Sequence, residues 1–210
     1  MVFLVKKVYT MVENTQWEEE MKIGCLVMAA GNARRFQENK LAAEYRGKSL
    51  IRRALEAVPK GLFDRVLVVT QYPQIAALAG EFGFEALENK HPDYGISHTI
   101  CLGTKALSDC DAILYLVSDQ PLLTRGSVEK VVHTWQENPG FIVGAAYSGK
   151  RGNPCIFPRA FFPELLALRE DHGGNVVIRA HPERLLTVEI PQKELTDVDT
   201  PQALADLDKA

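Results

Sequence analysis

Apolar residues fall along this chain in short dense runs, separated by stretches long enough for helices. Ile23 to Ala29, Val66 to Thr70, Ala112 to Val117 and Phe141 to Ala146 are almost wholly apolar and rich in β-branched or aromatic side chains, which predicts buried strands. The segments between them read as helices. Ser49 is placed to cap one over Leu50 to Val58, Pro73 suits the first turn of one reaching Phe82, Ser97 starts one to Leu107, and Gly126 to Glu137 forms another. Strands and helices alternating at this spacing build a mostly parallel sheet with helices on both faces. Ligands in such sheets sit outside the carboxyl ends of the strands, where strand order reverses. Chemistry is therefore expected in the loops after Ala29, Thr70 and Val117, and the second of these carries Gln71, whose amide can read the edge of a base.

The 210 residues, 46% hydrophobic and 24% charged, suffice for one large core, so a single domain over residues 21–210 is expected. Residues 1–20 are poorly patterned and end in Glu18-Glu19-Glu20. They read as a loose extension, with Met21 as the functional start. A net charge of -3 gives no electrostatic footprint for nucleic acid or an anionic membrane. No apolar stretch approaches the roughly 20 residues a membrane helix needs, and Lys6-Lys7 interrupts the opening apolar run, against a signal peptide or anchor. Cys25, Cys101, Cys110 and Cys155 form no Cys-x-x-Cys pair, which argues against a zinc site or a disulfide framework and fits a reducing cytoplasm.

The loop after the first strand is the most unusual segment. Met28-Ala29-Ala30-Gly31 leaves the strand through small residues, which let backbone N–H groups approach an anion, and Arg34, Arg35 and Lys40 follow closely. Arg35 can hold two phosphate oxygens with its planar fork, and Lys40 supplies a compact charge on a flexible stem. Neither common phosphate-binding fingerprint is present. Ala29 and Arg34 stand where the first and third glycines of Gly-x-Gly-x-x-Gly belong. Gly47-Lys48-Ser49 lacks the earlier glycine of a P-loop, which is Ala42 here, and reads as a turn and helix cap. Taken alone, the Arg-rich loop reads sooner as a solvated surface turn.

Carboxylates occupy two other loops. Ser118-Asp119-Gln120-Pro121 places Asp119 at the mouth of the sheet, where a hard oxygen ligand suits magnesium with a triphosphate, although a lone Asp after a strand is commonly a turn former. Thr196-Asp197-Val198-Asp199-Thr200-Pro201 puts Asp197 and Asp199 on one face of an extended stretch before a Pro-started helix. Read alone, that segment is a helix cap built on Asp199 or Thr200. His98 and His172 have no partner carboxylate at a defining spacing and receive no catalytic role.

These segments, in this order, resemble the molybdenum cofactor nucleotidyltransferases, whose signature is Leu-Ala-[Ala/Gly]-Gly-x-Ser-x-Arg-[Phe/Met]-Gly-x-x-Lys. Ala29, Ala30, Gly31, Arg35, Phe36 and Lys40 match it, while Ala33 replaces the serine and Gln37 the second glycine. Asp119-Gln120-Pro121 resembles the metal-binding motif of that family, and Asp197 to Pro201 the segment that returns to its active site. Gly95-Ile96-Ser97 resembles a segment near the nucleotide, and Arg151-Gly152-Asn153-Pro154 a turn on the acceptor side. Glu170-Asp171-His172-Gly173-Gly174-Asn175 matches only in part, lacking the first glycine and the final cation.

The resemblance implies a Rossmann-like three-layer α/β/α nucleotidyltransferase fold. It implies a nucleotide held by Met28, Ala29, Ala30, Gly31, Arg35, Lys40, Gln71, Ser97 and Asp119, with Arg35, Lys40 and Asp119 acting in catalysis and Mg2+ on Asp119 and Asp199. Ala30 together with Asp-Gln-Pro looks like the cytidylyl-transferring branch, so CTP is the first choice and GTP the second. The implied acceptor is the terminal phosphate of molybdopterin, with pyrophosphate released and a molybdenum hydroxylase as recipient of the product. Two rivals stand beside this reading: a sugar or polyol phosphate acceptor on the same fold, and a non-catalytic accessory protein that hands the cofactor on.

Overall fold

The computed structural model describes residues 21–31 and 40–207. The N-terminal extension, Arg34, Arg35, Phe36 and Gln37 lie outside the described residues. The chain runs through β1 (Ile23–Ala29), a small hairpin of β2 (Glu44–Tyr45) and β3 (Lys48–Ser49), α1 (Leu50–Glu56), β4 (Arg65–Thr70), α2 (Pro73–Glu81) and β5 (Glu85–Glu88). It continues through α3 (Ile96–Ala106), β6 (Ala112–Val117), α4 (Arg125–Glu137), β7 (Ile142–Tyr147) and β8 (Lys150–Pro158). The last elements are α5 (Phe162–Leu166), α6 (Asn175–Ala180), β9 (Leu185–Glu189) and α7 (Pro201–Asp206).

Seven strands form one sheet in the order β5-β4-β1-β6-β8-β7-β9. β1 pairs in parallel with β4 and β6, β4 with β5, and β7 with β9, while β8 is antiparallel to both its neighbours. From β1 the chain moves outward to β4 and β5, then crosses back to lay β6 on the other side of β1. Strand order therefore reverses at β1, and the crevice at the carboxyl ends of β1 and β6 is where a ligand is expected.

Alternation along the strands divides the core between two faces. Cys25, Val27, Val68, Leu114 and Leu116 pack with Ile51 and Leu55 of α1, Ile75 of α2 and Val128 and Trp135 of α4. Leu26, Leu67, Ile113 and Tyr115 face the other way, onto Ile100 of α3, Phe162 and Leu165 of α5 and Ile178 of α6. Burying each such side chain contributes about 1.5–3 kcal/mol, so a strand such as β1, buried on both faces, anchors the fold. α3 approaches β1 at Gly103, where an added Cβ would lie 2.3 Å from the Leu26 side chain.

Where the expected boundaries differ from the observed ones, local chemistry accounts for most of it. β1 and β6 have the expected limits. Gly47, at φ 73, turns the β2–β3 hairpin and Ser49 Oγ accepts from the Arg52 N–H at 3.3 Å, so Gly47-Lys48-Ser49 is a turn and cap rather than a P-loop. Ser97 does not start α3. The helix begins at Ile96 after Gly95, and Ser97 lies buried in its first turn. Arg151 to Pro154 is not a simple turn but part of β8, paired to β7 across a register shift between Gly144 and Ala146.

Candidate active site

Four successive carbonyls at the end of β1 are tied by side chains from the flanking loops. Ser118 Oγ donates to Met28 O at 2.7 Å, Thr70 Oγ1 to Ala29 O at 2.9 Å, Gln71 Nε2 to Ala30 O at 2.9 Å, and Tyr72 Oη to Gly31 O at 3.3 Å. Each trans peptide carries its N–H opposite its C=O. The ties at Ala29 and Ala30 thus turn the amides of Ala30 and Gly31 away from the loop after β4, which is how a backbone presents itself to an anion. Thr70, Tyr72 and Ser118 were not singled out from sequence; the run of donors directly after a buried strand, Thr70-Gln71-Tyr72, is the signal that points to two of them.

Gln71, expected to read a base edge, donates from its amide nitrogen to the backbone at the end of β1. Its amide nitrogen holds the loop from beneath, and Gln71 does not line the cavity in front of it. That cavity, of about 390 Å3, lies over the carboxyl ends of β1 and β6 and is bordered by Met28, Ala30, Gly31, Lys40 and Asp119 on one side. Its other side comes from Pro92, Gly95, Ile96 and Asp171. Ala29 is fully buried and Ser97, 3% exposed, lies outside the lining, its N–H donating to Glu170 O at 3.3 Å.

Lys40 joins the two acidic loops. Its Nζ donates to Asp119 Oδ2 and to Asp199 Oδ1, both at 2.9 Å. Val198, buried between the two carboxylates of its segment, donates its N–H to Asp119 O at 2.8 Å, so the two loops are joined through backbone as well. Thr200 Oγ1 caps α7 by accepting from the Ala203 N–H at 3.1 Å, which leaves Asp199 unspent on capping. Asp197 faces elsewhere, accepting at Oδ1 from Gln120 Nε2 at 2.9 Å.

Among the described residues, Asp119 and Asp199 bond the Lys40 ammonium and the Asp197 carboxylate lies close enough to feel all three charges. Burial alone would lower the Lys40 pKa, but attraction and hydrogen bonds from Asp119 and Asp199 outweigh it and hold the group above its ordinary value. The Asp197 carboxyl is pushed up, first by withdrawal from water and then by the neighbouring Asp119 and Asp199 charges, against the Gln120 hydrogen bond and Lys40. Among the described residues no group of three His, Cys, Asp or Glu forms a complete protein cage for a metal. The pair Asp119 and Asp199 converging on one cation nevertheless fits magnesium, which takes one or two carboxylates and completes its shell with substrate phosphates and water.

Beyond Asp197 and Gln120 a second cavity of about 400 Å3 opens, lined also by Lys150, Arg151, Asn153 and Asn175. Arg151 Nη2 donates to Asn175 Oδ1 at 2.5 Å. The resemblance had put a cation at position 175; here asparagine holds Arg151 instead. His98 stands in a ring cluster with His91 and Tyr94, and neither His98 nor His172 has an ion pair among the described residues. No helix among the described residues is long and apolar enough to cross a membrane.

Comparison with known proteins agrees with this fold. The profile of the MobA-like NTP transferase domain matches residues 25–185. The chain is 24% identical over 188 residues to the purine catabolism protein PucB of Bacillus subtilis (strain 168), covering 83% of this chain and 90% of that protein. It is 25% identical over 187 residues to the nicotine blue oxidoreductase of Paenarthrobacter nicotinovorans, covering 83% and 91%. Among solved structures, Rv0371c from Mycobacterium tuberculosis H37Rv superposes with a TM-score of 0.74 at 20% identity, covering 90% of this chain and 98% of that one. Its complex with manganese gives 0.71, also at 20% identity, covering 90% and 100%. CMP:2-keto-3-deoxy-manno-octonic acid synthetase complexed with CTP gives 0.69 at 14% identity, covering 89% and 96%.

Proposed function

Since the chain belongs to the MobA-like NTP transferase domain family, we propose that it is a magnesium-dependent nucleotidyltransferase that moves CMP from CTP to the terminal phosphate of molybdopterin, releasing pyrophosphate. The observation that carries this reading is the convergence of Asp119 and Asp199 on Lys40, in front of a β1 end whose amides are turned outward. The solved neighbours with CTP and with manganese support the choice of nucleotide and of a divalent cation. GTP is the second choice of nucleotide.

A phosphate monoester is an anion near neutral pH and needs no serine or cysteine from the protein to attack for it. Its oxygen attacks the α-phosphorus of the triphosphate, the bond to the bridging oxygen breaks, and pyrophosphate leaves with that electron pair. The task of the protein is to bring two anions together in line. The amides of Ala30 and Gly31 and the Lys40 ammonium hold and neutralise the triphosphate, and Arg35 adds its fork to that grip. Bound by Asp119 and Asp199, a divalent cation would cancel phosphate charge and steady the leaving group. The cavity edged by Lys150 and Arg151 would take the acceptor.

Pyrophosphate release with CTP, Mg2+ and molybdopterin tests the reading, with GTP and a sugar phosphate run beside it. Asp119→Ala is expected to abolish transfer while the fold, followed by circular dichroism, is retained. A folded, active Asp119→Ala protein would overturn the assignment. The relatives named above are a purine catabolism protein and an oxidoreductase rather than transferases, and the second reading is that the chain binds the cofactor and hands it to a molybdenum hydroxylase. Absence of pyrophosphate release with every acceptor, alongside binding of molybdopterin, would favour that carrier.

A further inference from the structure

We propose that Asp171 determines which base the nucleotide cavity accepts, selecting one that offers an amino group, as cytosine does, over uracil. The proposal rests on the nucleotide reading above. Asp171 lies between α5 and α6, on the sheet face of α3, whereas Lys40 leads into Leu41, which packs in the core with α1 on the opposite face. The two residues reach the same cavity from opposite walls.

The wall of Asp171 is interlocked with the start of α3. Ile96 N donates to Asp171 Oδ1 at 3.4 Å, and Ser97 N donates to Glu170 O at 3.3 Å. Gly95, at φ 82, has no Cβ to hold the loops apart; one built there would lie 2.5 Å from Glu170 O and 2.6 Å from Asp171 Oδ1. Glu170 adopts φ 55, a backbone conformation that a residue with a Cβ keeps only when its surroundings impose it. Asp171 is thus held by one oxygen, and among the described residues its other oxygen has no hydrogen-bond donor.

A carboxylate on this wall repels a triphosphate, which belongs with Lys40 and the outward amides across the cavity. The base is left facing α3. An ionised carboxylate accepts hydrogen bonds and donates none. Cytosine presents an amino group at position 4, which satisfies it. Uracil presents an oxygen there, which repels the carboxylate and leaves its solvent-facing oxygen to water.

The test is calorimetric binding of CTP and UTP with Mg2+ and no acceptor, so that it is independent of acceptor identity. The wild-type protein is expected to prefer CTP on the order of 10- to 100-fold, the range of one hydrogen bond to a charged group. Asp171→Asn keeps an oxygen for Ile96 N and adds a donor, so the preference should collapse to a few-fold, with UTP gaining affinity. Equal wild-type affinity for the two nucleotides, or full CTP preference retained in Asp171→Asn, overturns the proposal alone. Absence of binding of either nucleotide to the wild type removes the nucleotide reading itself. The wild-type ratio is a test that an unfolded variant cannot obscure.

Discussion

Replacing Lys40 by methionine removes the ammonium and keeps most of the apolar stem, leaving Asp119, Asp197 and Asp199 without the cation on which two of them converge. At 2.9 Å the attraction to Asp119 is about 6 kcal/mol at an effective dielectric constant of about 20. Desolvation and the ordering of long side chains offset most of that. The Asp199 side chain is 61% exposed, so its share is strongly screened. A net loss of about 1–2 kcal/mol is expected, between that of an exposed pair and that of a buried one. For a chain of this size it lowers the midpoint of thermal unfolding by about 2–8 °C. The folded Lys40 pKa lies above its ordinary value, so the contribution is complete below pH 10.5 and is lost as pH rises through the folded value. Melts of wild type and Lys40→Met in chelator should therefore differ at pH 7 and converge above pH 10.5. Transfer activity at pH 7 should fall about a hundredfold or more. Unchanged midpoint and activity would mean that the Lys40 bridge does neither job.

Asp197→Asn should stabilise the metal-free protein at pH 7, because the folded carboxyl pKa is raised and the ionised form is disfavoured there, while asparagine can still accept from Gln120. Below the ordinary value of 3.8 the carboxyl is protonated folded or unfolded, so the gain should vanish as pH falls; equal melts at both pH values would refute it. Gly103→Ala drives a methyl into Leu26 and should cost about 1–3 kcal/mol in denaturant unfolding despite the better helix propensity of alanine. A stabilised Gly103→Ala protein would show that α3 can shift off β1.

The strands flanking the switch point were legible because they are buried on both faces and their apolar runs are continuous, as in Ile23–Ala29 and Ala112–Val117. β5 was not, since Glu85-Ala86-Leu87-Glu88 is a short edge strand whose ends are charged. β8 opens with Lys150-Arg151-Gly152-Asn153-Pro154, residues typical of turns, and only the register shift against β7 reconciles them with a sheet. In the site, residue chemistry was readable and partnership was not. Gln71 reads from sequence as an amide able to meet a base edge, and nothing in its neighbours tells that its nitrogen donates to Ala30 O. Asp119 and Asp199 stand 79 and 159 residues from Lys40, so only the order of the motifs linked them. Asp171 belongs to a segment that matches the family pattern only in part, and its order along the chain does not tell that it lines the same cavity as Lys40 and Asp119.

The tie between Val198 N and Asp119 O has a bearing on how the protein is made. A ribosome delivers Lys40 first and Asp119 next, but Asp199 only after β9 has been synthesised. A half-made chain can pair β1 with β4 and β6 and begin to close its core, yet it holds a single carboxylate opposite Lys40. Order of synthesis thus places completion of the Lys40–Asp119–Asp199 bridge, and of the backbone tie that holds its two acidic loops together, after completion of the sheet.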